Sequence, residues 1–225
     1  MSTTTPSDIE AAWKRIEPYV RTTPVIRLNR GLLHPDAEVF LKLELMQVTG
    51  SFKPRGAFNR ILSNNVPPAG IIAASGGNHG LATAYAARAL GYHAEIFVPT
   101  ISSPVKQQRL RDYGATLHVT GANYKEALQA STTRARETGA LVVHAYNQME
   151  TIAGQGTCGR EFETRLEFEH LVRILRSRGF AESPGVTLFA APETRSFMAR
   201  RSRSLWALSR GISGQDERVR NRECH

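Results

Sequence analysis

Hydrophobic and polar positions follow two different periods between residues 8 and 145. Apolar residues spaced three or four apart predict amphipathic helices, and the short apolar or alternating runs between them predict strands. The predicted helices cover residues 8–20, 54–65, 78–90, 104–113 and 124–138. The predicted strands cover residues 39–44, 70–75, 94–99, 115–120 and 141–145. Strands that alternate with helices indicate an α/β fold, with a parallel sheet and crossover helices.

Two glycine-rich segments lie where ligands bind in such sheets, at the carboxyl ends of strands. Residues 75–80, with the sequence SGGNHG, join a strand to a helix. Their glycines allow backbone amides to approach an anion, and a helix N-terminus adds positive potential. The alternative is a tight turn in which Ser75 or Asn78 caps the helix. Residues 154–159, with the sequence GQGTCG, are predicted to open a helix that carries Glu161; taken alone, the segment favours a flexible helix entry over a ligand site.

A single lysine, Lys53, lies among small and apolar residues in the sequence SFKPRGA. A buried ammonium must be paired or lose its proton, and a lysine that can lose its proton is a candidate nucleophile for a carbonyl group. On this position alone, a lysine in a surface loop is the alternative.

The net charge of +9 is spread along the 225 residues. Residues 1–159 hold 16 cationic and 11 acidic side chains, whereas residues 160–225 hold 13 arginines, no lysine and 9 acidic residues. These interleaved acids and the scarcity of aromatic residues argue against a tail that binds nucleic acid. Two cysteines, Cys158 and Cys224, exclude a disulfide framework and a zinc cluster. We find no membrane span and no signal sequence, which favours the cytoplasm.

Taken in order, these segments resemble the serine/threonine dehydratases, which belong to the pyridoxal-phosphate-dependent fold type II (tryptophan synthase β-like) superfamily. The resemblance covers roughly residues 8–165. It rests on Thr23-Pro24-Val25, residues 42–57, Ser75 to Gly80, Val98-Pro99 with Lys106, Tyr113-Gly114-Ala115, and Gly154 to Thr157 with Glu161. Each motif is weak alone, and their shared order and spacing make the resemblance specific.

The resemblance implies a lyase of amino-acid metabolism with pyridoxal 5′-phosphate as its cofactor. Lys53 would hold the cofactor as an aldimine and, once released, would take the α-proton of the substrate. L-threonine or L-serine would then give an aminoacrylate, and finally a 2-oxo acid and ammonia. The family is usually homo-oligomeric and acts on small amino acids, so neither a metal, a nucleic acid nor a membrane is expected as a partner.

The resemblance also assigns roles to residues around Lys53. Phe52 would line the cofactor pocket, and Asn78 would bind the 3′-oxygen of the cofactor. The residues expected to contact substrate are Ser51, Ser75, Gly76, Asn78 and His79, with the His79 side chain donating to the substrate carboxylate. Arg55 is expected to be structural.

The family pattern ends before the chain does. Residues 1–60 and 146–168 are predicted to form part of a large domain that holds the cofactor; this second α/β domain is incomplete. Residues 61–145 are predicted to form a small α/β domain. No phosphate-binding glycine loop follows Gly156, and residues 169–225 resemble no family segment, so they are expected to be a poorly ordered arginine-rich tail. We expect a frameshift or truncation near residues 165–175, and weak or absent catalysis.

Three alternatives remain open. The chain could be an inactive remnant that binds small anions or pairs with an intact subunit, which the missing glycine loop favours. A serine racemase-like isomerase would use the same Lys53 chemistry. A β-replacement enzyme is less favoured, because such enzymes usually carry a threonine-rich version of residues 75–80. Threonine and serine as substrates are not distinguished.

Overall fold

The structure, a computed structural model, describes residues 4–35 and 39–165. In this part of the chain the α-helices are α1 (Pro6–Ile16), α2 (Lys53–Leu62), α3 (Asn78–Ala89), α4 (Pro104–Asp112), α5 (Tyr124–Thr138) and α6 (Met149–Arg165). The strands are β1 (Val25–Arg27), β2 (Phe40–Lys42), β3 (Ile71–Ala74), β4 (Ala94–Val98), β5 (Thr116–Val119) and β6 (Leu141–Val142). Short 3-10 helices occupy Glu17–Tyr19, Glu44–Met46 and Val48–Gly50.

Four strands form a parallel sheet in the order β5-β4-β3-β6. Ile71 of β3 is in register with Ala94 of β4 on one side and with Leu141 of β6 on the other. Helices α3, α4 and α5 connect successive strands of this sheet. The α/β fold class, with a parallel sheet and crossover helices, is therefore confirmed.

Neighbouring residues of β3 point to opposite faces of the sheet and enter different cores. Ile71 packs in a cluster with Phe58 of α2, whereas Ile72 packs in a cluster with Ala135 of α5. Every residue of β3 and β4 is buried, because both strands lie inside the sheet and are covered on both faces. This explains why β3 reads as a continuous apolar run. In β4 the run is interrupted by Glu95, a buried carboxylate that accepts hydrogen bonds from Arg134.

Local capping explains why α5 has the predicted bounds. The Asn123 side-chain oxygen accepts a hydrogen bond from the backbone N–H of Glu126, and Gly139 ends the helix in the left-handed region at φ 72°. In contrast, α1 stops at Ile16 and continues as a 3-10 turn over Glu17–Tyr19. Pro18 lies within that turn and has no N–H to continue the α-helix.

The prediction for residues 154–159 is wrong. They do not open a helix, because α6 begins at Met149 and runs through them. A Cβ on Gly154 would collide with the carbonyl oxygen of Arg55, and a Cβ on Gly56 would lie 2.8 Å from the carbonyl oxygen of Thr151. These glycines therefore serve the close crossing of α2 and α6 rather than a loop.

The described chain divides into two compact units. The first comprises Met1–Thr23 and Glu44–Cys158 and contains the parallel sheet. Within the described residues, the second comprises 24–35, 39–43 and 159–165. In it, β1 and β2 pair antiparallel, and Lys42 Nζ lies 2.6 Å from Glu161 Oε1 in a buried ion pair.

The domain boundaries given above stay predictions. Residues 166–225, which include the predicted arginine-rich tail, lie outside the described residues. Among the helices that the structure describes, none has the length and apolar character to cross a membrane.

Candidate active site

Lys53 is the first residue of α2 and lies half-buried. Its Nζ donates a hydrogen bond to the carbonyl oxygen of Ala145 at 3.4 Å. The same nitrogen lies 4.7 Å from the ring centroid of Phe52 and 4.7 Å from that of Tyr146. Phe52 thus lies beside the amine, where the resemblance places it, while Ala145 and Tyr146 were not predicted.

The backbone that leads to Lys53 is strained. Thr49 has φ 66°, and it is the non-glycine residue with positive φ in the described part of the chain. A β-branched residue is disfavoured in this region, and such outliers gather at functional sites. Gln47 fixes the segment, because its side chain accepts from the N–H of Arg21 and donates to the Arg21 carbonyl. Ser51, predicted to contact substrate, is buried, and its Oγ has no hydrogen-bond partner among the described residues.

Arg55 belongs to the framework beneath this segment. Its guanidinium is fully buried and makes two hydrogen bonds of 2.8 Å to the carboxylate of Glu44. Thr23 donates to the same carboxylate at 2.6 Å. A buried charge is tolerated when it is paired in this way. These contacts support the expectation that Arg55 is structural.

Residues 75–80 join β3 to α3. Ser75 follows β3, where its N–H donates to the Phe97 carbonyl, and its Oγ accepts from the N–H of Gly77 at 3.2 Å. A Cβ on Gly80 would collide with the Ser75 carbonyl oxygen, so this turn needs glycine there. Asn78 is exposed at the first position of α3.

The first turn of α3 has the properties of an anion site. Its N-cap is Gly77, which supplies no capping side chain. The backbone N–H groups of the first helical turn have no intrahelical acceptors, and the helix dipole adds positive potential. Gly76 brings the loop close to the β4–α4 connection, since a Cβ there would lie 2.7 Å from Ser102 Oγ.

His79 is buried in this first turn of α3. Its Nε2 lies 2.9 Å from the Val143 carbonyl oxygen, which can only accept, so Nε2 carries the proton. Burial lowers the pKa of His79 to about 4, against the effect of the Val143 bond, and the charges of Lys53 and His144 lower it further. The neutral ring presents Nδ1 as a buried acceptor without a partner in the described chain. The Nε2–H is therefore committed to Val143, whereas the backbone N–H of His79 lies in the first turn of α3, where it has no intrahelical acceptor.

Gln155 of α6 contacts the same backbone carbonyl as Lys53. Its Nε2 donates to the Ala145 carbonyl at 3.4 Å, so that carbonyl receives both Gln155 and Lys53. Its Oε1 is buried and has no partner within the described residues. The motif at residues 154–159 had drawn attention to this segment, but for its glycines rather than for the glutamine between them.

These residues fit the cofactor that the resemblance implies. Pyridoxal phosphate needs an amine for its aldehyde, and Lys53 provides one beside an aromatic face. Ser51 Oγ, His79 Nδ1 and Gln155 Oε1 are among the buried polar atoms that have no partner within the described residues, as expected where a polar ligand completes a site. The sequence lacks the phosphate-binding glycine loop expected after Gly156, and the segment where it would lie is outside the described residues.

Known proteins are similar to this chain in both sequence and fold. The profile of a family described as "Pyridoxal-phosphate dependent enzyme" matches residues 16–175. The catabolic L-threonine dehydratase TdcB of Staphylococcus aureus (strain USA300) is 43% identical over 159 residues, which cover 68% of this chain and 45% of that protein. The chain thus spans about half the length of the curated relatives it matches.

Solved structures agree. Maize serine racemase superimposes with a TM-score of 0.69 at 31% identity, over 74% of this chain and 51% of that one. The threonine deaminase of T.th. superimposes with a TM-score of 0.66 at 35% identity, over 73% of this chain and 53% of that one. These matches confirm the resemblance to serine/threonine dehydratases and the cofactor it implies. The chain belongs to the family of pyridoxal-phosphate dependent enzymes.

Proposed function

We propose that this chain carries the amine and the carboxylate-binding elements of an ammonia-lyase that converts L-threonine or L-serine to a 2-oxo acid and ammonia. One observation carries the proposal. The amine of Lys53 and the first turn of α3 meet at the same short segment, since Lys53 donates to Ala145 O and His79 to Val143 O. An amine and an anion site held by one backbone segment suit a substrate that has both a reacting carbon and a carboxylate.

The proposed role of each residue follows from its chemistry. Phe52 would line the cofactor ring and Asn78 would bind its 3′-oxygen. Ser75, Gly76 and the backbone N–H of His79 would hold the substrate carboxylate at the start of α3, with Ser51 beside the substrate. The amine of Lys53 would take the proton from the substrate α-carbon, which is efficient for a base already held within reach. When bound, pyridoxal phosphate supplies the electron sink that accepts the charge left on that carbon.

The threonine dehydratase assignment is favoured over a racemase by sequence. The S. aureus enzyme is 43% identical, whereas the maize racemase is 31% identical over a similar share of this chain. An oligomer of identical subunits and a cytoplasmic location belong to the same proposal.

Cofactor binding and turnover are tested separately, because the chain spans about half of its curated relatives. The full chain is titrated with pyridoxal phosphate and followed by absorbance and by mass after borohydride reduction. We expect a covalent adduct on Lys53, its loss in Lys53→Ala, and its retention in Lys106→Ala, a control at an exposed lysine of α4. An adduct spread over several lysines, or unchanged in Lys53→Ala, would contradict the proposed role.

Turnover is then measured with L-threonine and L-serine by the release of 2-oxo acid. Formation of 2-oxo acid supports the lyase, and formation of D-serine without 2-oxo acid supports the racemase instead. A specific adduct without either product identifies the inactive remnant.

A further inference from the structure

The Lys53 amine lies close to two aromatic rings. Both ring centroids, those of Phe52 and Tyr146, are 4.7 Å from Nζ, within the range in which a cation is attracted to a ring face. Phe52 is adjacent in sequence, so its proximity needs no special arrangement. Tyr146 comes from the segment between β6 and α6, so its position depends on the tertiary fold.

A turn centred on His144 holds Tyr146 in place. The Nδ1 of His144 accepts the backbone N–H of Tyr146 at 3.2 Å and that of Asn147 at 3.3 Å. The N–H of His144 donates to Gln148 Oε1 at 2.8 Å. The His144 ring also meets the Tyr146 ring edge to face, with centroids 6.3 Å apart. Both the backbone and the ring of Tyr146 are therefore fixed by one imidazole.

Burial does not account for this arrangement. Tyr146 is 53% exposed, so its ring contributes little to a core. A large exposed aromatic ring held against an amine by several directed contacts points to a role at that amine. The contact favours the ammonium over the neutral amine, because the ring face attracts a cation and not a neutral nitrogen.

We propose that Tyr146, positioned by His144, closes an aromatic clamp with Phe52 that holds Lys53 as the ammonium and so limits its reaction with carbonyl compounds until the tyrosine ring is displaced. This deepens the proposed function, because it concerns the reactivity of the same amine. The titratable groups around that amine include His79 from α3, and His144 and Tyr146 from the segment after β6, with Tyr124 of α5 beside Tyr146.

The test needs no cofactor and no turnover. Each lysine of the full chain is labelled with trace acetic anhydride over a range of pH and quantified by peptide mass spectrometry. The amine nitrogen attacks a carbonyl carbon, acetate leaves, and the nitrogen loses a proton, so the rate follows the fraction of free amine. Lys106, exposed on α4, is the internal reference.

Tyr146→Leu removes the ring, and Tyr146→Phe keeps it. We expect Tyr146→Leu to move the labelling midpoint of Lys53 to lower pH and to raise its rate near neutrality about two- to fivefold. Tyr146→Phe should match the parent chain. A rate that rises equally at every pH, with the midpoint unchanged, would show that the ring only blocks access and would overturn the proposal, as would an unchanged Lys53.

His144 is tested by a matched pair. The side-chain oxygen of His144→Asn can occupy the place of Nδ1 and accept the same N–H groups, whereas His144→Leu cannot. The asparagine variant should behave like the parent chain and the leucine variant like Tyr146→Leu. If both variants keep the parent midpoint, the positioning role of His144 is refuted. Failure of pyridoxal phosphate to bind would refute the proposed function but would leave this measurement intact.

Discussion

His79 donates its Nε2 proton to the Val143 carbonyl oxygen over 2.9 Å, which fastens the first turn of α3 to the residue that follows β6. The imidazolium could donate the same bond, which therefore favours protonation, but burial outweighs it and lowers the pKa to about 4. The start of α3 and the segment that carries Ala145 are thus tied by a buried hydrogen bond from a neutral ring.

We predict a pH-dependent stability from His79. Its pKa is about 4 in the folded chain and about 6.5 when unfolded, so the unfolded state binds more protons between these values. The contribution is complete above about pH 6.5, decreases as the pH falls, and is lost at about pH 4, a change of about 3 kcal/mol in the free energy of unfolding. Urea unfolding at several pH values measures it.

His79→Gln is the control for this pH dependence of stability. Its amide can still donate to Val143, but it does not titrate. The stability of the variant should depend less steeply on pH between about 4 and 6.5 than that of the parent chain. If the free energy of unfolding depends on pH in the same way in both proteins, His79 does not cause the pH dependence.

We predict that Arg55→Met destabilises the chain by about 3–5 kcal/mol, because it leaves the Glu44 carboxylate without its guanidinium in a buried site. Adding Glu44→Leu should restore most of the loss, since no charge then remains unpaired. The control is Arg60→Met, whose partner Glu150 is more exposed, with an expected cost below about 1 kcal/mol. If urea unfolding shows an equal loss of stability in Arg55→Met and Arg60→Met, the predicted difference between the buried and the more exposed ion pair is wrong.

We predict opposite outcomes for two glycines of α6. The added Cβ of Gly154→Ala meets the Arg55 carbonyl and Asn59 Cβ, so we expect a loss of about 2 kcal/mol despite the better helix propensity of alanine. The Cβ of Gly156→Ala meets Cδ1 and Cγ1 of Ile9, which belong to a side chain that can shift more readily than a backbone carbonyl. Thermal unfolding should therefore leave Gly156→Ala within about 1 kcal/mol of the parent chain. A reversed order would argue against the close crossing.

We predict that Thr49→Asn stabilises the chain by about 1 kcal/mol. Asparagine tolerates the left-handed region better than a β-branched residue does, and Thr49 has φ 66°. Thr49→Val is the matched control, because it removes the hydroxyl and keeps the branching. Both are compared by urea unfolding, and an equal gain in both variants would assign the effect to the unpartnered hydroxyl rather than to the backbone.

The sequence predicted the elements whose signals are local. The bounds of α5 follow from Asn123 and Gly139, and the buried strands β3 and β4 follow from short apolar runs, which Glu95 interrupts in β4. Lys53 could be selected because the order and spacing of the motifs around it are specific. The cofactor and the fold class could also be predicted from the sequence, and the similar proteins confirm both predictions.

What depends on contacts between distant residues could not be predicted. Glycines at 154 and 156 look the same in a loop and in a close helix crossing, and only the neighbours Arg55 and Ile9 decide between them. Tyr146 carries no motif, and its relation to Lys53 exists because a turn brings the two together. The bond of His79 to Val143 also joins distant positions, so the sequence suggested a donor for substrate where the structure shows a donor already engaged.

The shortness of β6 has a consequence for protein engineering. Its ladder ends at the N–H of Val143, and the carbonyl groups of Val143 and Ala145 are left to receive side chains from α3, α2 and α6. A neighbouring strand that paired with these residues would occupy the same acceptors. To transplant this amine onto another parallel sheet, a designer would therefore stop one strand early, so that its last carbonyl oxygens remain available as acceptors.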